Sequence, residues 1–541
     1  MTFRNWTRLI LLYCACLPVF AQTGHEELDL GLANFALDTG ERALALRYTQ
    51  NPDTEHEYLI RAKALLETGA EDTASPLLDR LLAGDYYRGE AALLKSALVK
   101  DSADEKRRLL QLASEKGHGD VKQQASYQLA EVARTNDRPD TAGRILASMD
   151  TGYWAALGYM NIAADYGKRD LNPSRALISL RVAMAMSDED PNRARGEALK
   201  SQLLVRAGLL AYKNEDYEKA ITFLEKVNLD SYSTPQGLYL HGLALSGKGN
   251  HRDAMQSWHR AKKYPLAFAG VAESWLGTGR GYDLTGYLGQ AGEAFLSASA
   301  TYESERVTLR KLADLVREKG AYTALIEGAG ETRAEWFLAD SRMLTQPRSA
   351  YLLRFMEDAD NQTSVERVSA LQSMLSEMDR QQHTLKVFES VLHERIAAGG
   401  ENQSAKIDQL HAKIDAISAR LVAARQNAGT GSGSIGQIRQ LAQTLKDLET
   451  STNRFESRLQ KRNQRLRVLV ETVDRSLERL DHSRLRALAA RKTANAELDK
   501  RFLAYIGAES ERMLVALEKA EQQIAHLYEY LALQSLNGRG E

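Results

Sequence analysis

Past residue 16 the chain contains no cysteine, and its two thiols, Cys14 and Cys16, both lie inside an apolar N-terminal stretch. Any form that begins after that stretch has no disulfide framework, no cysteine-ligated metal and no thiol nucleophile. Proline is almost as scarce. There are nine in 541 residues and none after Pro347, so the last 194 residues lack the strongest helix breaker. Charge of one sign is missing too: 71 Lys+Arg stand against 72 Asp+Glu. A formal charge of −1 leaves no broad electrostatic footprint for nucleic acid or an anionic membrane. No run of 18 apolar residues follows the N-terminus, so no integral membrane span is expected. With 43% hydrophobic and 26% charged residues, the composition is that of a globular chain, neither disordered nor membrane-embedded throughout.

Residues 1–21 read as a secretory signal. Arg4 and Arg8 supply the positive start, Leu9 to Val19 an apolar core too short to span a bilayer, and Val19-Phe20-Ala21 a cleavage site before Gln22. An uncleaved anchor is the alternative. A lipid-anchored form at Cys16 is a weaker one, because Ala15 fits a lipoprotein signal whereas Tyr13 and Cys14 do not. Cleavage after Ala21 leaves a cysteine-free chain of 520 residues, as suits a bacterial periplasm.

The front half repeats. Ala142 to Ala176 and Ala220 to Ala254 are steps of 34. Ala74 to Ala142 is twice 34, with Arg108 at the midpoint, and Ala43 to Ala74 is a shorter first step of 31. Twelve residues before these small anchors stand Gly31, Ala62, Ala130, Ala164, Gly208 and Gly242, the small residues that a close helix–helix contact needs. The clearest copies are Ala207-Gly208…Tyr212…Tyr217…Ala220…Phe223-Leu224…Val227 and Leu238…Gly242…Ala254…Trp258…Ala261…Pro265. Their turns, Lys213 to Tyr217 and Gly247 to His251, are polar and Gly/Asn-bearing. The pattern resembles the tetratricopeptide repeat (TPR), a helix–turn–helix unit. That resemblance implies a solenoid of seven or eight units over about residues 27–300, stacked because one helix pair cannot hide its own apolar face, with a groove for a protein partner. Tyr264 to Arg317, rich in glycine, reads as degenerate capping repeats. Residues 318–350, with Trp336 and Phe337, read as a connector docked on that cap.

From about residue 351 the apolar residues follow a three–four alternation. Val368, Leu371, Leu375 and Met378 open it, and Ile407, Leu410, Ile414, Ile417 and Leu421 continue it past Gly399-Gly400. After a Gly/Ser stretch it resumes at Ile438, Leu441, Leu445, Leu448, Thr452, Phe455 and Leu459. Such heptads bury a narrow seam against another helix, either as a hairpin across the Gly/Ser tip or against a second chain. The expected fold class is therefore all-α, a TPR-like helical-repeat solenoid followed by long coiled-coil helices. Its divisions are 1–21 signal, 22–300 solenoid, 301–350 connector, 351–427 coiled coil, 428–436 loop, 437–536 coiled coil and 537–541 tail.

No catalytic motif holds. Gly431 to Gly436 matches GxGxxG, but a heptad helix and not a strand precedes it. Glu273-Ser274 resembles the Glu-Ser pair of lytic transglycosylases without the Gly-rich and Met-Gln segments of that family. His241, His251 and His259 cluster in sequence without the accompanying ligands a zinc site takes. The basic run Lys461 to Arg467 reads as the solvated face of a helix. Tyr58, Tyr127, Tyr159, Tyr212 and Tyr239 fall in the repeats, but nothing in the sequence separates packing tyrosines from groove tyrosines, so the groove residues stay unassigned.

The expectation is a non-enzymatic periplasmic scaffold, with no cofactor and no metal. It would bind a protein partner of the cell envelope and no nucleic acid, with self-association through the coiled coil as a second expectation. An outer-membrane export or assembly accessory is the alternative, and a cell-wall hydrolase the remoter one. If the signal is cleaved as read, the exported protein begins at Gln22. N-terminal sequencing or intact mass of the secreted form checks this, and a retained Met1 or a lipid mass on Cys16 overturns it.

Overall fold

A computed structural model describes residues 28–100, 102–170, 173–325, 347–427 and 432–537; the N-terminal stretch with Cys14 and Cys16 and the segment holding Trp336 and Phe337 lie outside them. Every element among the described residues is a helix. The chain divides into two compact units, one of residues 1–370 with 493–541 and one of residues 371–492.

In the first unit the helices come in consecutive pairs. Helix α1 (residues 28–38) precedes α2 (Arg42–Tyr48), α3 (Glu55–Glu67) precedes α4 (Glu71–Ala83), and α5 (Arg88–Leu98) precedes α6 (Ala103–Lys116). Then follow α7 (Gly119–Thr135) with α8 (Pro139–Ala147), and α9 (Tyr153–Arg169) with α10 (Ser174–Asp188). The last pairs are α11 (Arg193–Lys213) with α12 (Tyr217–Leu224), α13 (Thr234–Gly247) with α14 (His251–Ala261), and α15 (Val271–Leu284) with α16 (Leu288–Lys319). The result is a TPR-like solenoid of eight hairpins.

Local chemistry sets where each helix begins and turns. Thr54 caps α3 in a reciprocal box with Glu57, and the side chains of Ser102, Asn192, Asp216 and Asn250 accept from the first turns of α6, α11, α12 and α14. Six of the eight hairpins turn through a left-handed residue: Gly40, Gly69, Asp137, Glu215, Gly249 and Gly286. In each, the next N–H reaches back five residues to a carbonyl, as from Asp216 to Ala211 and from Asn250 to Leu245, 3.0 and 2.9 Å. This closing bond satisfies the last helical carbonyls and fixes the angle of return. Glu215 and Gly249 are 34 apart, so one turn geometry recurs with a residue that favours it and one that does not.

Packing repeats with the same period. A small residue on the first helix of a pair faces a large one 16 positions later on the second: Gly208 under Leu224, Gly242 under Trp258 and Gly279 under Phe295. A Cβ at any of these glycines would fall within 3.0 Å of the large side chain. The anchors Ala74, Ala142, Ala176, Ala220 and Ala254 are all buried. Residues one repeat apart also bond directly across neighbouring pairs. Trp154 Nε1 donates to Asp120 at 2.8 Å and Asn161 Nδ2 to Tyr127 at 3.1 Å, each across 34 positions. Burial, with the nearby Glu131 carboxylate, pushes the Tyr127 hydroxyl up to about 12.

Four details differ from the sequence reading. Gly31 and Ala43 are not the contact pair of the first hairpin; Gly31 has no neighbour where a Cβ would stand, whereas Ala33 and Ala45, also twelve apart, are fully buried. The frame there starts two residues later. Arg108 is exposed, and Leu109 and Leu110 fill the space an anchor would occupy. The glycine-rich last pair is not degenerate in its packing, because Gly279 and Phe295 make the same fit as the pairs before it. Helix α16 also runs without a break through residue 300, the boundary expected between solenoid and connector.

Beyond α16 lie the short α17 (Ala321–Leu325), α18 (Pro347–Phe355), α19 (Ala359–Asn427) and α20 (Ser432–Asn537). Helix α19 continues through Gly399-Gly400, and α20 already includes Ser432 to Gly436, residues read from the sequence as loop. Glycine costs a helix only about 1 kcal/mol, which flanking helix-forming residues offset. The end of α20 belongs to the first unit. There Phe355 and Phe502 meet edge to face at 4.9 Å, Tyr505 joins them, and Asp499 accepts from the N–H of Ala321 at 2.6 Å. Leu527 packs on Ala291 and Phe295.

In the second unit α19 and α20 form an antiparallel hairpin within one chain. Arg491 bonds Gln372, Arg484 bonds Asp379 and Gln382 bonds Asp481, so each step forward on one helix is matched by an equal step back on the other. Nearer the tip His411 and Glu456 also meet across the two helices, at 3.4 Å.

The fit of small under large is testable. Gly242→Ala forces a methyl against Trp258, whose Nε1 is held by the Tyr239 carbonyl at 3.1 Å. Urea unfolding is expected to show a loss of about 1–3 kcal/mol. The control Gly289→Ala, exposed in α16 with open space at its Cβ, is expected to be neutral or stabilising by up to about 1 kcal/mol. Equal stabilities would remove the packing argument.

Candidate protein-binding groove

The first helices of the last three hairpins, α11, α13 and α15, leave one face uncovered by their partners. Helix α11 contributes Gln202, Arg206, Leu209 and Tyr212, all within steps of three or four. Helix α13 contributes Gln236, Tyr239, Leu243 and Ser246 in the same rhythm, and α15 contributes Glu273, Leu276 and Arg280. Along this face lie two cavities. One, of about 570 Å³, sits at the N-terminal ends of α11's inner stripe and α13; the other, of about 540 Å³, sits at their C-terminal ends. Both share α11 and α13, so they form successive stretches of one groove.

The groove has an apolar floor and a polar rim. Leu209, Leu243 and Leu276 line it with Tyr212 and Tyr239, while Arg206, Glu273 and Arg280 stand exposed at its edge. Burial, followed by the Glu273 carboxylate, pushes the Tyr239 hydroxyl up to about 12, so it is neutral and available as a donor throughout the physiological range. Lys262 lies over the Trp275 ring at 4.2 Å, and burial lowers its ammonium pKa.

The chain's own distal segments bound both ends. At one cavity, Tyr232 donates to Glu357, just past α18, which also pairs with Arg354 of that helix. At the other, Lys519, Gln522 and Gln523 of α20 form a wall. Between these points Arg512 acts as a clamp. Its Nη2 donates to the Leu266 carbonyl at 2.6 Å and to Glu509 at 2.7 Å. Tyr351 donates to Glu305 at 2.6 Å, and burial raises the Glu305 carboxyl despite that bond and the nearby Arg512.

The other residues singled out by sequence do not converge. Ser274 is buried and donates to the Gly270 carbonyl at 2.7 Å, while Glu273 faces the groove, so the Glu-Ser pair is split between two environments. His241 is half-buried on a different cavity, where Nδ1 meets Ser257 Oγ at 2.8 Å and Nε2 lies 3.9 Å from Glu225; burial lowers its pKa, partly opposed by Glu225. His251 pairs with Ser246 at 3.0 Å. Among the described residues no group of His, Cys, Asp and Glu is placed to hold a metal ion, and no helix is long and apolar enough to cross a membrane. Gly431 of the GxGxxG match lies outside the described residues; Ser432 onward is helix, with no strand beside it. Lys461 to Arg467 is an exposed helical face apart from the half-buried Asn463 and Leu466. Tyr58 stacks under Arg80, Tyr159 packs in the core, and Tyr212 and Tyr239 line the groove.

No family model and no curated protein matches the chain. Solved structures that resemble it include the TPR2AB domain of yeast Sti1 in complex with pHSP90, at 12% identity over 51% of this chain and 91% of that one, with a TM-score of 0.18. The TPR domain of P58(IPK) is 16% identical over 65% and 98%, TM-score 0.19, and the Cut9–Hcn1 hetero-tetramer of the APC/C is 12% identical over 83% and 96%, TM-score 0.21. Scores this low superpose no common framework, and the TPR-like assignment stands on the helix pairs, their turns and their 34-residue contacts.

Arg512→Ala removes a charged donor from a buried carbonyl, a change worth about 1.5–3 kcal/mol. Hydrogen exchange over residues 493–537 is expected to quicken by about 10–100-fold, with α3 to α8 unaffected. Unchanged protection of α20 would show that the clamp does not hold it.

Proposed function

We propose that the protein is an exported, non-enzymatic scaffold of a bacterial cell envelope, which holds a segment of a protein partner in the groove of α11, α13 and α15. One observation carries this reading: three successive first helices present leucines and tyrosines to open cavities at helical spacing, with charged residues only at the rim. A floor of that kind gains from covering apolar side chains of a guest, and the neutral Tyr239 hydroxyl and the rim charges then fix its orientation. The N-terminal stretch of residues 1–21 supports export to the periplasm. The long helices α19 and α20 would serve as an arm that spaces the groove from other components of the assembly.

A photoreactive benzoylphenylalanine placed at Arg280, on the groove, is expected to capture a discrete partner in intact cells. The same group at Ile178, exposed on α10, is expected to capture none. Tyr239→Ala should reduce the Arg280 adduct at least tenfold while leaving helix content unchanged. Equal capture at both positions, or an adduct indifferent to Tyr239, would reject the groove.

A further inference from the structure

Near its tip, the hairpin of the second unit has two unlike faces. The centre of the helix pair is a line of buried or half-buried residues seven apart: Ile407, Ile414 and Leu421 on α19, and Ile438, Leu445, Thr452 and Leu459 on α20. A residue four positions after that line lies to one side of it, and a residue three positions after lies to the other. Because the helices run antiparallel, the two four-after positions share one face of the hairpin, and the two three-after positions share the opposite face. His411 and Glu456, each four after a buried residue, meet at 3.4 Å and confirm that placement.

The opposite face is apolar. Three after the buried line stand Leu410 and Ile417 on α19 and Leu441, Leu448 and Phe455 on α20. They are 43%, 46%, 59%, 45% and 53% exposed. The stripe is bounded, since the next positions of the same lines are Gln403 and Arg462. A scattered exposed leucine needs no explanation, whereas five large side chains in register on one face do.

We infer that this stripe is the contact surface between two copies of the chain, whose hairpins stack face to face as a four-helix bundle. The area fits. Each of the five side chains leaves roughly 90 Å² uncovered, so two copies bring together about 900 Å², which with the stems of flanking residues reaches the roughly 1,000 Å² a specific interface requires. Charge selects the orientation. The α19 edge of the stripe carries the exposed Lys406, Lys413 and Arg420, while the α20 edge carries Gln437, Thr444, Ser451 and, beside Phe455, Arg458. A copy placed α19 against α19 would set three cations against three cations. A two-fold axis along the hairpin instead lays α19 of each copy over α20 of the other, tip beside tip, and puts Lys413 and Arg420 over Ser451 and Thr444, leaving Lys406 as the one cation level with another, Arg458. This concerns the arm alone and stands apart from what the groove binds, because its test reads mass.

Sedimentation velocity on the whole chain from 1 to 100 µM is expected to show a monomer–dimer equilibrium. Leu448→Lys should leave a monomer across that range with unchanged far-UV circular dichroism, whereas Leu531→Lys, exposed elsewhere on α20, should not alter the dimer. A wild-type chain that stays monomeric at 100 µM overturns the inference, and so does a Leu448→Lys chain that still dimerises. In a Cys14→Ser, Cys16→Ser background, mixing Lys413→Cys with Ser451→Cys chains should give the mixed disulfide in preference to the Lys413→Cys homodimer. The reverse preference overturns the tip-beside-tip arrangement.

Discussion

The solenoid depends on a repeated steric exception. At Gly208, Gly242 and Gly279 the first helix of a pair gives up its side chain so that Leu224, Trp258 or Phe295 from the second can lie against its backbone. Glycine in a helix costs about 1 kcal/mol, and the return is a large apolar side chain removed from water, worth about 1.5–3 kcal/mol, with a short interhelical distance. That distance brings the return helix close enough for the left-handed turn to close it. It also leaves the far side of each first helix with no partner inside its own hairpin. The groove follows from that geometry, because three such far sides stand next to one another.

Much of this was legible because the exception is written in residue size. Small residues twelve before a small anchor, repeated at 34, marked the hairpins, and the anchors from Ala74 to Ala254 are buried apart from the Arg108 position. The failures have equally local causes. Gly31 and Ala43 copy the spacing of Ala33 and Ala45 two residues out of frame, and size alone does not choose between the two frames. Arg108 broke the pattern, but Leu109 and Leu110 did the packing. In the last pair many glycines looked like decay, although Gly279 packs against Phe295, Gly277 and Gly281 lie against Trp258 and Met255 of the preceding hairpin, and others, such as Gly289, are exposed.

The groove residues were not legible, for a physical reason. Tyr212 and Tyr239 recur at the same helical spacing as the core, and a stripe facing the groove has the period of a stripe facing a neighbour. What distinguishes them is the absence of a covering helix, and that depends on where α18 and the end of α20 dock. Docking in turn rests on groups far apart in sequence, such as Arg512 with the Leu266 carbonyl and Phe355 with Phe502. No local pattern announces a contact across some 150 or 250 positions.

One helix, α20, serves two units, and the step between its buried residues shortens from seven to four where it enters the first unit, at Ala494, Leu498, Phe502 and Ile506. A residue seven after another points the same way whether one helix or several lie against it. Ile438 to Leu459 use that line against α19 alone, while Leu498, Phe502 and Ile506 are buried among the helices of the first unit. The flank changes as well. Beside Phe502 the flank is aromatic and enclosed, through Tyr505 and Phe355. Beside Thr452 one flank is tied by His411 and Glu456, and the other, with Leu448 and Phe455, is bare. A two-helix pair can cover only the centre of a heptad stripe, so an apolar flank kept on such a pair is a cost in solubility unless something covers it. The three cations on one edge of that flank meet fewer like charges in one of the two settings of a second identical hairpin than in the other, which is why the arrangement of the arm is narrower than its heptads alone would allow.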